Sequence, residues 1–405
     1  SILTLPNTCF KIQNNFAVYS TATRAQLVNA NLNIYGDLTL TSHLTDGLTV
    51  AAGVSVVGAT ARTLQINGNG SGTISGVISN GAAMLSLTKA NVGTWTLSGE
   101  NTYTGTTIIG NGVLNVSSVV VTNGASGLGS AASSLVLGTA AAGGSTTGVL
   151  NYTGETATMT RGLVLAVPGT GALGGRLNVL TAGKTLTLTG SVDNTAGGKS
   201  TMFTVGGAGN TILAGVVGGG IGGITKTDSG TLTLKGSNTY TGVTMVSTNG
   251  GALMVNGNQT MATNTVTICP GSTLGGNGII GGDTALSGTL APGSGAGTLT
   301  FRRNLTVNNG STCVFEAGDL VAVQGELDLN SNWTLELKSG FLNGGSVTLF
   351  TYGTLAAAPA LAPAFTITNL GFTPSGPLTL TDTGTSIVLF GVRLPGPAAT
   401  AIIIK

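Results

Sequence analysis

Along most of the chain, apolar and polar residues alternate in short runs, each closed by Gly, Asn or Ser. Thr-Trp-Thr-Leu-Ser at 94–98 and Thr-Leu-Thr-Leu-Lys at 231–235 show the pattern. A period of two marks a strand with one buried side, and the intervening Gly, Asn and Ser mark turns. Such strands recur about every 8–12 residues, a spacing that sandwiches and solenoids share. The triplets Leu-Thr-Leu, Leu-Asn-Val and Val-Thr-Ile favour a solenoid. A triangular coil needs short sides and sharp corners, and successive coils then pair edge to edge. At roughly 20–25 residues per coil, inward Val, Leu and Ile stack in columns. Outward Thr and Asn can form ladders with the residues above and below.

Two stretches repeat one another. Lys89 to Val116 contains GTWTLSGENTYTGTTIIGNGVLNV, and Lys226 to Val255 contains GTLTLKGSNTYTGVTMVSTNGGALMV. Lys89, Asn101, Tyr103 and Gly105 match Lys226, Asn238, Tyr240 and Gly242 at one constant offset. The expected organisation is an N-terminal cap or assembly segment at 1–46, a β-solenoid over 47–340 with repeats at 89–116 and 226–255, and a C-terminal β segment and tail at 341–405. The first segment carries Phe10, Phe16, Tyr19 and Tyr35, a chemistry suited to covering an open coil edge. Leu27 to Leu40 already reads as strand.

Composition narrows the choice. The 405 residues include 68 Gly and 10 Pro, with 4% aromatic and 7% charged residues. Collagen needs Gly at every third position with abundant Pro. Disorder needs low hydrophobicity or high charge, against a mean hydropathy of +0.40 and a net charge of +2. What remains is a β architecture with many tight turns. The near-neutral balance leaves no electrostatic footprint for nucleic acid or anionic lipid. No run of about 18 apolar residues predicts a transmembrane segment. Numbering from Ser1 suggests a processed N-terminus and an exported chain.

Chemistry is sparse. The cysteines are Cys9, Cys269 and Cys313. A Cys269–Cys313 disulfide would clip neighbouring coils; buried unpaired thiols are the alternative. Glu316, Asp319, Glu326, Asp328 and Glu336 crowd one region, where solvated outer positions outweigh a calcium site. Otherwise no cofactor and no metal are expected. His43 is the single histidine, in a turn without a nucleophile motif. Tyr103 and Tyr240 fit coil corners better than sugar-stacking platforms. Gly218 to Gly223 lacks the Lys-Ser and helix of a phosphate loop, and Arg302-Arg303 reads as surface. No catalytic constellation emerges, and the chain is expected not to be an enzyme.

The string K-T-D-S-G-T-L-T-L-K-G-S-N-T-Y-T-G-V-T, Lys226 to Thr244, resembles the autotransporter-associated β-strand repeat of bacterial surface passengers. Lys89 to Thr107 resembles it nearly as well. Segments within Gly271 to Phe301, and Phe315 to Leu329, look like the stretches that commonly follow such repeats. The resemblance implies a right-handed parallel β-helix, export, and a place at the cell surface. The membrane β-barrel that ends autotransporters, with ~10-residue alternating strands, is not seen. Two explanations stay open: a passenger cleaved free, or a relative exported without a barrel.

The expected function is a secreted structural subunit that self-associates into a filament, sheath or surface layer, its partners being copies of itself. The motive is charge: surfaces kept monomeric carry about 25–35% charged residues. The tail residues Ala401, Ile402, Ile403 and Ile404 could add as a strand to a neighbour's edge. The alternative is an adhesin that binds a host or carbohydrate ligand.

Overall fold

In the computed structural model, residues 10–12, 16–20, 25–43, 47–119, 124–141, 144–166, 174–194, 201–218, 220–330, 332–338, 340–356, 364–367 and 376–394 are described. Among them every regular element is a β-strand. The chain divides into two compact units, Ser1–Leu232 and Thr233–Lys405, and each is a parallel β-solenoid.

In the first unit, the longest face stacks nine strands, from Gln26–Val28 to Ile221–Lys226. Alternation does the sorting. In Thr94–Leu97, Trp95 and Leu97 point inward and are fully buried while Thr94 and Thr96 face out. Register then repeats this rung after rung, so Ile74, Leu97, Val116, Tyr152 and Val179 form one interior column. A buried aliphatic side chain contributes about 1.5–3 kcal/mol, and stacking equivalents on one another supplies that burial with few aromatics. Strands Phe10–Ile12 and Phe16–Ser20 already pair in parallel with Leu32–Ile34 and Leu38–Ser42.

Coil length is far less regular than the expected 20–25 residues. One turn separates Thr96 from Asn115 by 19 residues, Asn115 from Asn151 by 36, and Asn151 from Asn178 by 27. The longest turn carries an antiparallel excursion, Thr139–Ala141 against Gly144–Thr146, and then resumes with Gly148 beside Gly112.

In the second unit, six strands stack on one face, from Val243–Val246 to Thr354–Leu355. Its far end changes direction. Leu342–Thr351 pairs antiparallel with Ser386–Arg393, which pairs antiparallel with Thr379–Asp382. Phe350 anchors this hairpin, its ring edge-on to Phe315 at 5.3 Å and to Trp333 at 6.3 Å. The tail Ala401–Ile404 and Cys9 lie outside the described residues.

The expected Cys269–Cys313 bridge is not formed; both thiols are free. Cys313 points into the core from Thr312–Phe315, and burial pushes its thiol well up from the ordinary value. Its strand lies two rungs from Thr273–Gly276, the strand that follows Cys269. Two rungs span about 9.6 Å, beyond the Cα reach of a disulfide.

Candidate functional site

The repeats are built around a buried lysine. Lys89 ends the strand Leu85–Lys89, and its Nζ donates to the carbonyls of Ala90 at 2.8 Å, Asn91 at 2.7 Å and Asn111 at 3.0 Å. Lys226 does the same for Thr227 and for Asp228, the latter at 2.7 Å. These carbonyls belong to tight corners, where Asn91 (φ 56°) and Asp228 (φ 59°) take the left-handed conformation that Asn and Asp tolerate best. Burial lowers both amines to about 8. Each lysine is therefore a corner brace.

The other matched residues are structural as well. Tyr103 and Tyr240 are buried, and their hydroxyls pair with those of Thr107 at 2.9 Å and Thr244 at 2.7 Å. Asn101 Oδ1 accepts the Ile78 N–H at 2.8 Å while its Nδ2 donates to the Gly127 carbonyl. Asn238 Nδ2 donates to Gln259 Oε1 at 2.7 Å. Burial raises both tyrosines to about 12, so they stay neutral at physiological pH.

The carboxylates at 316–336 divide. Glu326 is exposed, whereas Asp319 is only 4% exposed, contrary to the expected solvated position. It closes a turn, its Oδ2 accepting from Glu316 N at 2.8 Å and its Oδ1 from Gly297 N at 3.2 Å. Burial lifts Asp319 to about 6 against those two N–H bonds, with Glu316 adding to the rise. Among the described residues, no three His, Cys, Asp or Glu side chains converge as a metal ligand set. His43 is exposed, and so are Arg302 and Arg303.

The most ordered polar array faces outward from the first unit. Thr49, Thr73, Thr96, Asn115, Asn151 and Asn178 occupy one column in register. Asn115 Nδ2 donates to Thr96 Oγ1 at 3.3 Å, Asn151 Nδ2 to Asn115 Oδ1 at 2.9 Å, and Asn178 Nδ2 to Asn151 Oδ1 at 2.8 Å. Arg176 Nε closes the series by donating to Asn178 Oδ1 at 2.7 Å. All three amides thus point one way, and a guanidinium at the acceptor end fixes that direction. Aligned bonds of this kind polarise one another.

Arg176 is held in turn. Its Nη2 meets Asp228 Oδ2 at 2.8 Å and Thr227 Oγ1 at 3.1 Å. The column position beyond Asn178 is Gly206, where an added Cβ would fall 2.3 Å from Asp228 Oδ2 and 2.7 Å from Arg176 Nη2. The missing side chain is what lets the ion pair cross that rung. Burial works to raise Asp228, but the Gly207 N–H, Arg176, the Thr227 hydroxyl and Lys226 together hold it below the ordinary value. A second outward column, Ser71, Thr94, Val113, Val149, Arg176, Thr204 and Thr225, runs alongside.

Sequence reasoning anticipated outward Thr and Asn ladders in general terms, but missed these members and the roles of Arg176, Gly206 and Asp228. The Gly-x-Leu-Asn-Val string, present at 112–116 and again at 175–179, was the available signal.

Residues 87–116 and 224–255 match the passenger-associated-transport-repeat family. The chain is similar to a protein named Adhesin BmaC autotransporter from Brucella suis biovar 1 (strain 1330). That identity is 33% over 154 residues, 34% of this chain and 4% of the relative. It is also similar to an extracellular serine protease of Serratia marcescens, 40% identical over 129 residues, 32% of this chain and 11% of that protein. The chain thus spans a small fraction of either relative's length.

Proposed function

Starting from a chain that carries two passenger-associated transport repeats, we propose that it is an extracellular, non-catalytic surface passenger that works by adhesion. One observation supports this above others: the outer column that begins at Thr49 is regular, and from Thr96 through Asn115 and Asn151 to the buried Asn178 it is already ordered by its own hydrogen bonds. Preordered side chains reduce the entropy lost on binding. The braced lysines and buried tyrosines have structural bonds to account for them, which leaves the outer face as the place for recognition. The adhesin relative supports the reading over about a third of this chain. Surface-coupled chain should bind whole cells or extracellular matrix above a bovine albumin control, and show no hydrolysis of casein. Casein turnover, or adhesion equal to the control, would overturn it.

The second reading is self-association into a filament or surface layer. It rests on the low charge, 7% of residues, which leaves copies little to repel one another. Sedimentation of purified chain over a concentration series checks it: a constant monomer would remove it. Deleting Pro397 to Lys405 tests the part assigned to Ala401–Ile404.

A further inference from the structure

We propose, resting on the adhesive reading, that the Thr49–Asn178 face of the first unit binds an extended, neutral polysaccharide lying along the solenoid axis. Two observations choose that occupant. The first is charge. From Thr49 to Asn178 the column holds hydroxyls and amides without a formal charge. Arg176, which bonds to the ladder's last amide, is neutralised by Asp228 at 2.8 Å. An anionic glycan would find no free cation there, and a cationic peptide no free carboxylate; a polyol finds partners throughout.

The second is periodicity combined with direction. Rungs repeat at ~4.8 Å, about the length of one unit in an extended, equatorially linked sugar chain. Asn115 and Asn151, both half-buried, each spend one N–H and one lone pair on their neighbours, leaving a second of each, while Asn178 is buried and bonded to Arg176. Because Arg176 orients Asn178 and the others follow, the amides present nitrogen and oxygen in the same order along the axis. Sugar hydroxyls both donate and accept, so a chain laid along the column meets a hydroxyl at Thr49, Thr73 and Thr96 and an amide donor and acceptor at Asn115 and Asn151. The neighbouring column adds Thr94, Val113 and Val149, giving hydroxyl and aliphatic surface for the C–H faces of the rings. The ligand class is therefore linear and uncharged, and recognition is by repeat rather than by one deep pocket.

The test uses the full chain and neutral β-linked gluco-oligosaccharides of increasing length, with polygalacturonate as the anionic comparison, read by calorimetry. Affinity is expected to rise with oligomer length. Asn151→Val, β-branched and so at home in a strand, is expected to lower affinity for the longer oligomers about tenfold, the loss of one to two hydrogen bonds. Thr96→Lys keeps the two bonds between the amides, removes the Thr96 acceptor of Asn115, and is expected to block binding by placing bulk and charge on the face. Thr289→Lys, on the stacked threonines of the second unit, is expected to change nothing. Circular dichroism of each variant should match the parent. Length-independent affinity, tighter binding of polygalacturonate, or unaltered binding by both ladder variants would overturn the inference. So would the absence of any glycan binding. If cells still bind the chain in that case, adhesion stands and this ligand falls; if they do not, both fall.

Discussion

Where the first repeat carries Trp95, the second carries Leu232, and the two positions show how one motif is fitted to different interiors. The indole of Trp95 is fully buried over Gly72, where an added Cβ would fall 2.6 Å from the ring, and its Nε1 donates to the Asn67 carbonyl at 3.0 Å. Leu232 is equally buried with a smaller side chain. Beside each brace a further exchange occurs: Asn91 in the first repeat, Asp228 in the second, with nearly the same backbone angle. The neutral residue serves its corner alone. The charged one also engages Arg176 and so reaches the outer ladder. Interior devices are thus held in common, while a one-atom-type change at the corner alters what the surface can do.

The largest test of this comparison is truncation. Trp95→Ala should cost about 3–5 kcal/mol, and Leu232→Ala about 2–5 kcal/mol, read as lost amide-exchange protection in each repeat's own strands. Equal and negligible losses would mean that neither position supports its coil. Next, Lys89→Met and Lys226→Met should each cost about 1–3 kcal/mol, since buried carbonyls lose their donor. The two losses should be similar because both braces serve the same corner. A loss in one repeat alone would show that the shared motif has diverged.

Asp319 sharpens the comparison because neither repeat has a counterpart. Its folded-state value, about 6, lies above the ordinary 3.8, so the folded chain holds a proton that the unfolded chain releases. That stabilisation is complete below the ordinary carboxylate value and is lost as pH rises through about 6, an effect of about 1–3 kcal/mol. Amide exchange in Leu320–Val323 should therefore speed up across this window beyond its intrinsic pH dependence, and Asp319→Asn should remove the excess. An excess that survives the substitution would assign it elsewhere. The smallest effect belongs to Asp228→Asn, which makes the second repeat resemble the first. With an ion pair this exposed, about 0–1 kcal/mol is expected, and the difference from the parent should shrink at high salt. A salt-independent difference would mean that the carboxylate acts through its Gly207 bond instead.

The solenoid was legible because Thr-x-Thr-Leu strands alternate strictly, and alternation survives whatever length of chain lies between rungs. Burial of Tyr103 and Tyr240 at corners was legible too, from the turn residues around them. The braces were not. A lysine before a turn reads as solvated, and only the closed corner shows three carbonyls converging on Lys89. Nor was the ladder, whose members are brought together across 36 and 27 residues. A repeat of constant period would have revealed them; unequal turns hide register. The cysteine bridge failed for a related reason, since counting residues between Cys269 and Cys313 does not count rungs.

Those unequal turns have a consequence for how such a chain can change. Between the stacked strands Leu135–Leu137 and Gly148–Tyr152 the backbone makes an antiparallel excursion and rejoins with the pairing of Gly112 and Gly148 undisturbed. Insertion there is a matter of outline alone: the interior columns need not be renegotiated when a corner grows. Foreign loops grafted into that turn should be carried at full stability, making the molecule a ready frame for displaying new shapes without rebuilding its centre.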